Sequence, residues 1–180
     1  VIPQYNPKDN KKFDPALHKK HDAYGKVIAK WYWEWFGYTV IPNDTVDPYD
    51  IDFLVQKQGE EDFYVEVEHT ARWNDPKGKK GYTGAEFPYK YTVHVPKRKK
   101  RYYEKYNKAC FLGVDFLGHY LFITWGPDIL ASKIVPAYVN GKREKFFDVP
   151  ISKIKIWDTK REFQPVLVGD VIKSIKMIMR

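Results

Sequence analysis

The sequence predicts an α/β chain of the mixed α+β kind, with a central mixed sheet flanked by helices and extra strands toward the C-terminus. Three observations lead there. Apolar residues near the start (Tyr24, Val27, Ile28, Trp31, Trp35) recur with the 3.6-residue period of a helix. From residue 38 onward they change to the two-residue alternation of strands. A proline-led basic run at residues 96–106 then interrupts the strands. A chain of 180 residues suits one domain with a true apolar core.

Taken in order, residues 1–20 read as a polar basic arm, and residues 21–180 as a single domain. A helix is expected over Tyr24 to Phe36, with Asp22 as its cap and Gly37 as its stop. Strands are expected at residues 38–41, 51–56 and 63–70, the last two joined by a turn at Gln58-Gly59-Glu60-Glu61. Residues 71–90, punctuated by Pro76, Gly78, Gly81, Gly84 and Pro88, read as a long functional loop. A short strand at 91–95 leads to Pro96, which suits the start of a basic helix over 97–106. Strand candidates follow at 111–116, 119–125, 135–139, 146–149 and 154–157, with a short helix near Pro127. The segment 170–179 fits a helix or a strand.

Composition narrows the classes. Hydrophobic residues make up 43% and charged residues 30%, which excludes a disordered or collagen-like chain. No apolar run reaches the length of a membrane helix. The single cysteine, Cys110, excludes an internal disulfide and any cysteine-based zinc cluster, and its setting before an apolar strand suggests a buried thiol. A reducing location follows, cytoplasmic or otherwise intracellular. No phosphate-cradling glycine motif appears.

Charge is segregated. The net charge is +8, yet residues 44–68 hold nine acids and one base, leaving 30 bases against 14 acids elsewhere. A basic surface attracts phosphate backbone, and an acidic knot within it suits a divalent cation. The acids alternate with apolar residues. In Asp50-Ile51-Asp52-Phe53-Leu54-Val55, the alternation sets Ile51, Phe53 and Val55 on one face and Asp50 and Asp52 on the other. In Phe63-Tyr64-Val65-Glu66-Val67-Glu68, it sets Glu66 and Glu68 opposite Phe63, Val65 and Val67. A hairpin centred near Gly59 brings Asp52 opposite Glu66, so that Asp52, Glu66 and Glu68 converge. Like charges across a sheet repel unless a cation offsets them. A hairpin with one wet polar face is the competing reading.

With these residues in view, the chain resembles the PD-(D/E)xK nuclease superfamily over roughly residues 22 to 125. The order helix, three antiparallel strands, helix, strand is similar, and so is the approach through Gly37-Tyr38-Thr39-Val40 and Asp50-Ile51-Asp52-Phe53. The resemblance implies a restriction-endonuclease-like core. It implies catalytic roles for Asp52, Glu66 and Glu68, and metal ligation by Asp52, Glu66 and the Val67 carbonyl. The implied cofactor is Mg²⁺, with Mn²⁺ as a substitute. The implied reaction is phosphodiester hydrolysis by a DNA endonuclease. The family usually places lysine two residues after its second acid; here that position is Glu68. Some members carry glutamate there, and a lysine from elsewhere, such as Lys79 or Lys90, would substitute in space. A lapsed nuclease that only binds nucleic acid shares the same pattern.

The run Lys97-Arg98-Lys99-Lys100-Arg101 is the densest positive charge in the chain. With Arg72 and Lys79 it forms the expected phosphate-contacting set, which fixes position rather than base identity. The expected partner is nucleic acid, double-stranded or branched DNA ahead of RNA, with no membrane. The 14 tyrosines and 6 tryptophans also suit a homodimer or a structural, protein-interaction domain.

Overall fold

The structure is a computed structural model, and it describes residues 15–43, 50–70, 92–115, 118–139, 142–167 and 169–171. The first helix, α1 (Pro15–Trp35), is followed by the strands β1 (Thr39–Pro42), β2 (Phe53–Gln56), β3 (Phe63–Thr70) and β4 (Thr92–Pro96). A 3-10 turn (Lys97–Lys99) leads into a short α2 (Lys100–Lys105). Then come β5 (Ala109–Asp115), β6 (Tyr120–Trp125), α3 (Gly126–Leu130), β7 (Lys133–Val139), β8 (Lys142–Pro150), β9 (Lys155–Asp158) and β10 (Gln164–Val166). Seven strands form one sheet in the order β1-β2-β3-β5-β6-β9-β10, and three form another in the order β4-β8-β7. The large sheet is mixed: β3 and β5 are parallel, from Tyr64↔Ala109 to Thr70↔Asp115, and the other pairs are antiparallel. The chain is therefore mixed α+β, as the sequence predicts. Among the described residues no helix is long and apolar enough to cross a membrane.

The large sheet separates two cores. On one face Ile28, Ala29, Tyr32 and Trp33 of α1 pack on Val65, Val67, Cys110, Leu112 and Val114. On the other face Phe111 and Phe122 meet Val93, Val95, Tyr103, Ile129, Phe147 and Val149, from the small sheet, α2 and α3. Every residue of β5 is buried, because its alternating side chains serve both cores. Glu66 and Glu68 alternate with Val65 and Val67 along β3 and so face the second core, toward the small sheet.

Several expectations change. α1 begins at Pro15, so helix reaches into the segment read as an arm; proline fits a first helical turn, where its missing N–H costs nothing. The buried stripe of α1 runs through Tyr24, Ile28 and Tyr32, whereas Val27 and Trp35 are each 50% exposed. Gly25 explains the rotation. A Cβ there would lie 3.1 Å from the His69 Cβ, so this face of α1 approaches β3 closely. The basic helix is a 3-10 turn and barely two turns of α-helix, with Tyr102 and Tyr103 buried. Ile51 does not share a face with Phe53 and Val55. It precedes β2, its N–H is held by Asp50 Oδ1 at 2.8 Å, and its side chain joins the second core. Cys110 is buried and unpaired, as expected.

Gly118 is fixed by its backbone and its surroundings. Its φ is +68°, and a Cβ there would stand 2.2 Å from the Tyr24 hydroxyl oxygen. Tyr24 is buried against α1's partner strands and has little room to yield. Gly118→Ala is expected to destabilise the fold by about 2–4 kcal/mol, combining the strained φ with overpacking. Equilibrium denaturation measures it, and a loss below 1 kcal/mol is the contrary result.

Candidate functional site

The expected hairpin is present. Phe53↔Val65 and Val55↔Phe63 set a register that, carried one step further, puts Asp52 beside Glu66. Asp52 reaches Val67 instead: its Oδ2 accepts the Val67 N–H at 2.8 Å. Its Oδ1 is 2.8 Å from the Lys26 Nζ of α1, and Lys26 also meets Asp22 at 2.8 Å. Asp52 therefore ties α1 to β3 at the residue lying between Glu66 and Glu68. Asp50 does not join it. Its carboxylate turns to α2, where Lys105 Nζ lies at 2.6 Å and the Tyr106 hydroxyl donates at 2.9 Å. Burial disfavours the Asp50 anion, but Lys105 and the hydrogen bonds from Ile51 and Tyr106 prevail and lower its pKa.

The centre of the site is a lysine. Glu66 is 5% exposed, and its Oε1 is ion-paired with the Lys99 ammonium. The Glu68 Oε2 lies 3.4 Å from the same nitrogen. Lys99 is delivered by the 3-10 turn after β4, so the cation comes from a distant stretch of sequence. The reading from sequence put Lys99 with its neighbours in the phosphate-contacting set; the turn carries it to the hairpin's acids, with its side chain 13% exposed. Its neighbours behave otherwise. Arg98 Nη1 bonds Glu144 Oε2 at 3.0 Å, Lys100 pairs with Glu104 at 2.6 Å, and Arg101 Nη2 donates to the Tyr102 hydroxyl at 3.3 Å. Lys97 is half-buried in the same turn. Arg72, Lys79 and Lys90 lie outside the described residues, as do Asp44 and Asp47.

Electrostatics follow from three carboxylates around one buried ammonium. Burial works against the charged form of Lys99, but Glu68, Glu66 and Asp52 outweigh it and hold its pKa above the ordinary value. The surplus negative charge falls on Glu66. Burial, reinforced by Asp52 and Glu68 against the pull of Lys99, pushes its pKa up to about 7. The two shifts describe one coupled cluster, in which Lys99 keeps its proton and Glu66 readily takes one.

Three buried polar atoms here lack a hydrogen-bond partner among the described residues: Glu66 Oε2, Glu68 Oε2 and the Tyr103 hydroxyl. Tyr103, on α2, has its pKa raised well above the ordinary value by burial first and Glu66 next. Hard oxygen donors left open in a buried setting suit Mg²⁺, which often uses one or two carboxylates with water and substrate phosphate. Among the described residues, however, no three His, Cys, Asp or Glu side chains are grouped to hold a metal ion. A cation would meet the open Glu66 Oε2, whereas the Glu68 Oε2 already faces the Lys99 ammonium, with Asp52 bracing the strand between the two acids. Val67 contributes its N–H to Asp52, and its side chain is buried.

Two histidines resolve. His69 packs on Tyr24 at 5.0 Å between ring centroids, on the apolar side that alternation predicts. His94 stands 3.1 Å from Asp148 across the β4–β8 pair. The sequence reading missed the inward role of Lys99 because a run of five cations gives no sign of which one turns in. No protein-family model, curated protein or solved structure matches the chain.

A raised Glu66 pKa sets a stability signature. A group held above its unfolded value contributes fully below about pH 4.5, and that contribution is lost as pH rises through about 7. Glu66→Gln, which imitates the protonated acid, is expected to unfold later than the parent at pH 8, by on the order of 1–3 kcal/mol, and about equally at pH 4.5. Thermal melts at the two pH values check this. A variant less stable at pH 8 by the same amount as at pH 4.5 is the contrary result.

Proposed function

We propose that this chain hydrolyses phosphodiester bonds in nucleic acid, as a Mg²⁺- or Mn²⁺-dependent endonuclease acting on DNA. The supporting observation is Lys99. The hairpin that holds Asp52, Glu66 and Glu68 has glutamate where the resembled family carries lysine, and an ammonium reaches the same carboxylates from the turn after β4. A divalent ion held by Glu66 and Glu68 would supply Lewis-acid stabilisation and a more acidic water. The chain's own groups do the rest. Lys99 offers positive charge beside a phosphate oxygen as negative charge develops there. Asp52 fixes Val67, and with it the spacing of Glu66 and Glu68. Glu66, when ionised, faces the buried side of the site and is available to a water or a cation.

A second reading is favoured by one specific observation. The Lys99 ammonium already stands between Glu66 and Glu68, and no group of three potential ligands surrounds an ion position among the described residues. An internal counter-ion of this kind suits a module that binds nucleic acid without cutting it.

One assay separates the two. Purified protein is incubated with supercoiled, linear and branched DNA and with RNA, in Mg²⁺, Mn²⁺ or chelator. The expected result is metal-dependent cleavage that rises with pH through about 7, as Glu66 loses its proton. Glu66→Gln and Lys99→Met should each lower it on the order of 10²-fold or more. No cleavage of any substrate in either metal would sink hydrolysis and leave the binding reading.

Asp52 is tested separately, because its role is to hold β3. Asp52→Ala is expected to weaken Mn²⁺ binding and cleavage together, by about 10–100-fold. Mn²⁺ titration beside the cleavage assay reads both. Unchanged metal affinity would mark the hairpin's polar face as ordinary surface.

A further inference from the structure

β8 is the middle strand of the small sheet, but only its residues 146–148 are paired on both sides. β4 ends at Pro96 opposite Phe146. Beyond that point residues 136–139 and 142–145 pair only with each other, from Pro136↔Lys145 to Val139↔Lys142. The result is a two-stranded ribbon extending past the core. Phe147 and Val149 point into the second core. Arg143 and Lys145, on the same side of the strand by alternation, lie beyond the core's edge and are exposed. Among the described residues neither meets a carboxylate, and the ribbon's own acid at this end, Glu144, is taken by Arg98.

We propose that this ribbon docks on duplex DNA, with Arg143 and Lys145 contacting backbone phosphates two steps apart along one strand. The inference rests on the nucleic-acid reading of the site, since Arg98 fastens the ribbon to the turn whose next residue is Lys99. Three features suit that partner. Two residues along a strand span about 6.6 Å, close to two steps of the 3.4 Å axial rise per phosphate of one B-DNA strand. A two-stranded ribbon matches the width of the B-form major groove, whereas the deep, narrow A-form groove of duplex RNA does not admit it. The charge is unbalanced on the exposed side, where a polyanion supplies what the protein lacks. These are position-fixing contacts, so the ribbon would set where the duplex lies relative to Glu66 and Glu68 without reading bases.

The test is binding in chelator, which keeps it independent of hydrolysis. Fluorescence anisotropy with a short labelled DNA duplex is followed from about 50 to 200 mM salt, for the parent and for Arg143→Gln/Lys145→Gln. The variant is expected to melt like the parent, since both side chains are exposed. Its plot of log affinity against log salt is expected to be shallower by about 2, so that this rise in salt weakens the parent roughly tenfold more than the variant. Duplex RNA of the same sequence and polyglutamate serve as competitors, and both are expected to compete poorly. An unchanged slope, no DNA binding by the parent, or equal competition by RNA or polyglutamate overturns the proposal. Cleavage in Mg²⁺ by a variant with an unchanged slope removes the ribbon and leaves hydrolysis in place. A shallower slope with no cleavage by the parent supports the ribbon and removes hydrolysis.

Discussion

An ammonium taken out of water must find its counter-charge in the protein, and Lys99 finds it in Glu66 and Glu68. Much of the arrangement follows from that requirement. The 3-10 turn cannot move from β3 without leaving a buried lysine matched by neither Glu66 nor Glu68, which is strongly destabilising. The turn continues β4, so the same contact sets the small sheet against the large one. On its outer side Arg98 holds Glu144, and on the far side of β3 Asp52 holds Lys26 of α1. Apolar side chains of similar volume would join the layers about as well. Stability of the fold alone therefore does not account for the charges.

The fold class and the polar hairpin were legible because they rest on local rules. Alternation placed Glu66 and Glu68 on one face of β3, and the turn at Gly59 set the register that brings Asp52 next to Glu66. Asp50 and Ile51 broke the pattern because pairing in β2 starts only at Phe53. Before it, the chain bends to satisfy Ile51's N–H, Lys105 at the end of α2 and Tyr106 just after it, partners that sequence spacing does not reveal. Two positions of the α1 stripe were misjudged: Val27 and Trp35 are half exposed, whereas Tyr24 and Ile28 are buried and Trp31 packs against the first core. The small residues Gly25 and Ala29 mark the side that approaches β3.

One arm of the ribbon, residues 136–139, falls within an expected strand, and the other, residues 142–145, was missed for a different reason. Residues 142–145 read Lys-Arg-Glu-Lys, with no apolar alternation, because neither side of that stretch is buried in a core. A strand wet on both faces has no hydrophobic period to detect. Asn140-Gly141, between two strand-like runs, is the local hairpin signal that the sequence does carry. The carboxylate partner of His94 and the cation of Glu66 were out of reach altogether, since both pairings join segments far apart in the chain.

The parallel pairing of β3 with β5 has a consequence for how the protein is made. Parallel neighbours cannot close through a tight turn, so the β4–α2 crossover must be laid down before β5 can dock on β3. Closing a connection of that length loses chain entropy before the contacts return any of it, which makes the step slow relative to forming the β2–β3 hairpin. Lys99 lies inside the crossover. The hairpin's acids gain their burial and their cation from this crossover and from β5, and local pairing in the hairpin supplies neither.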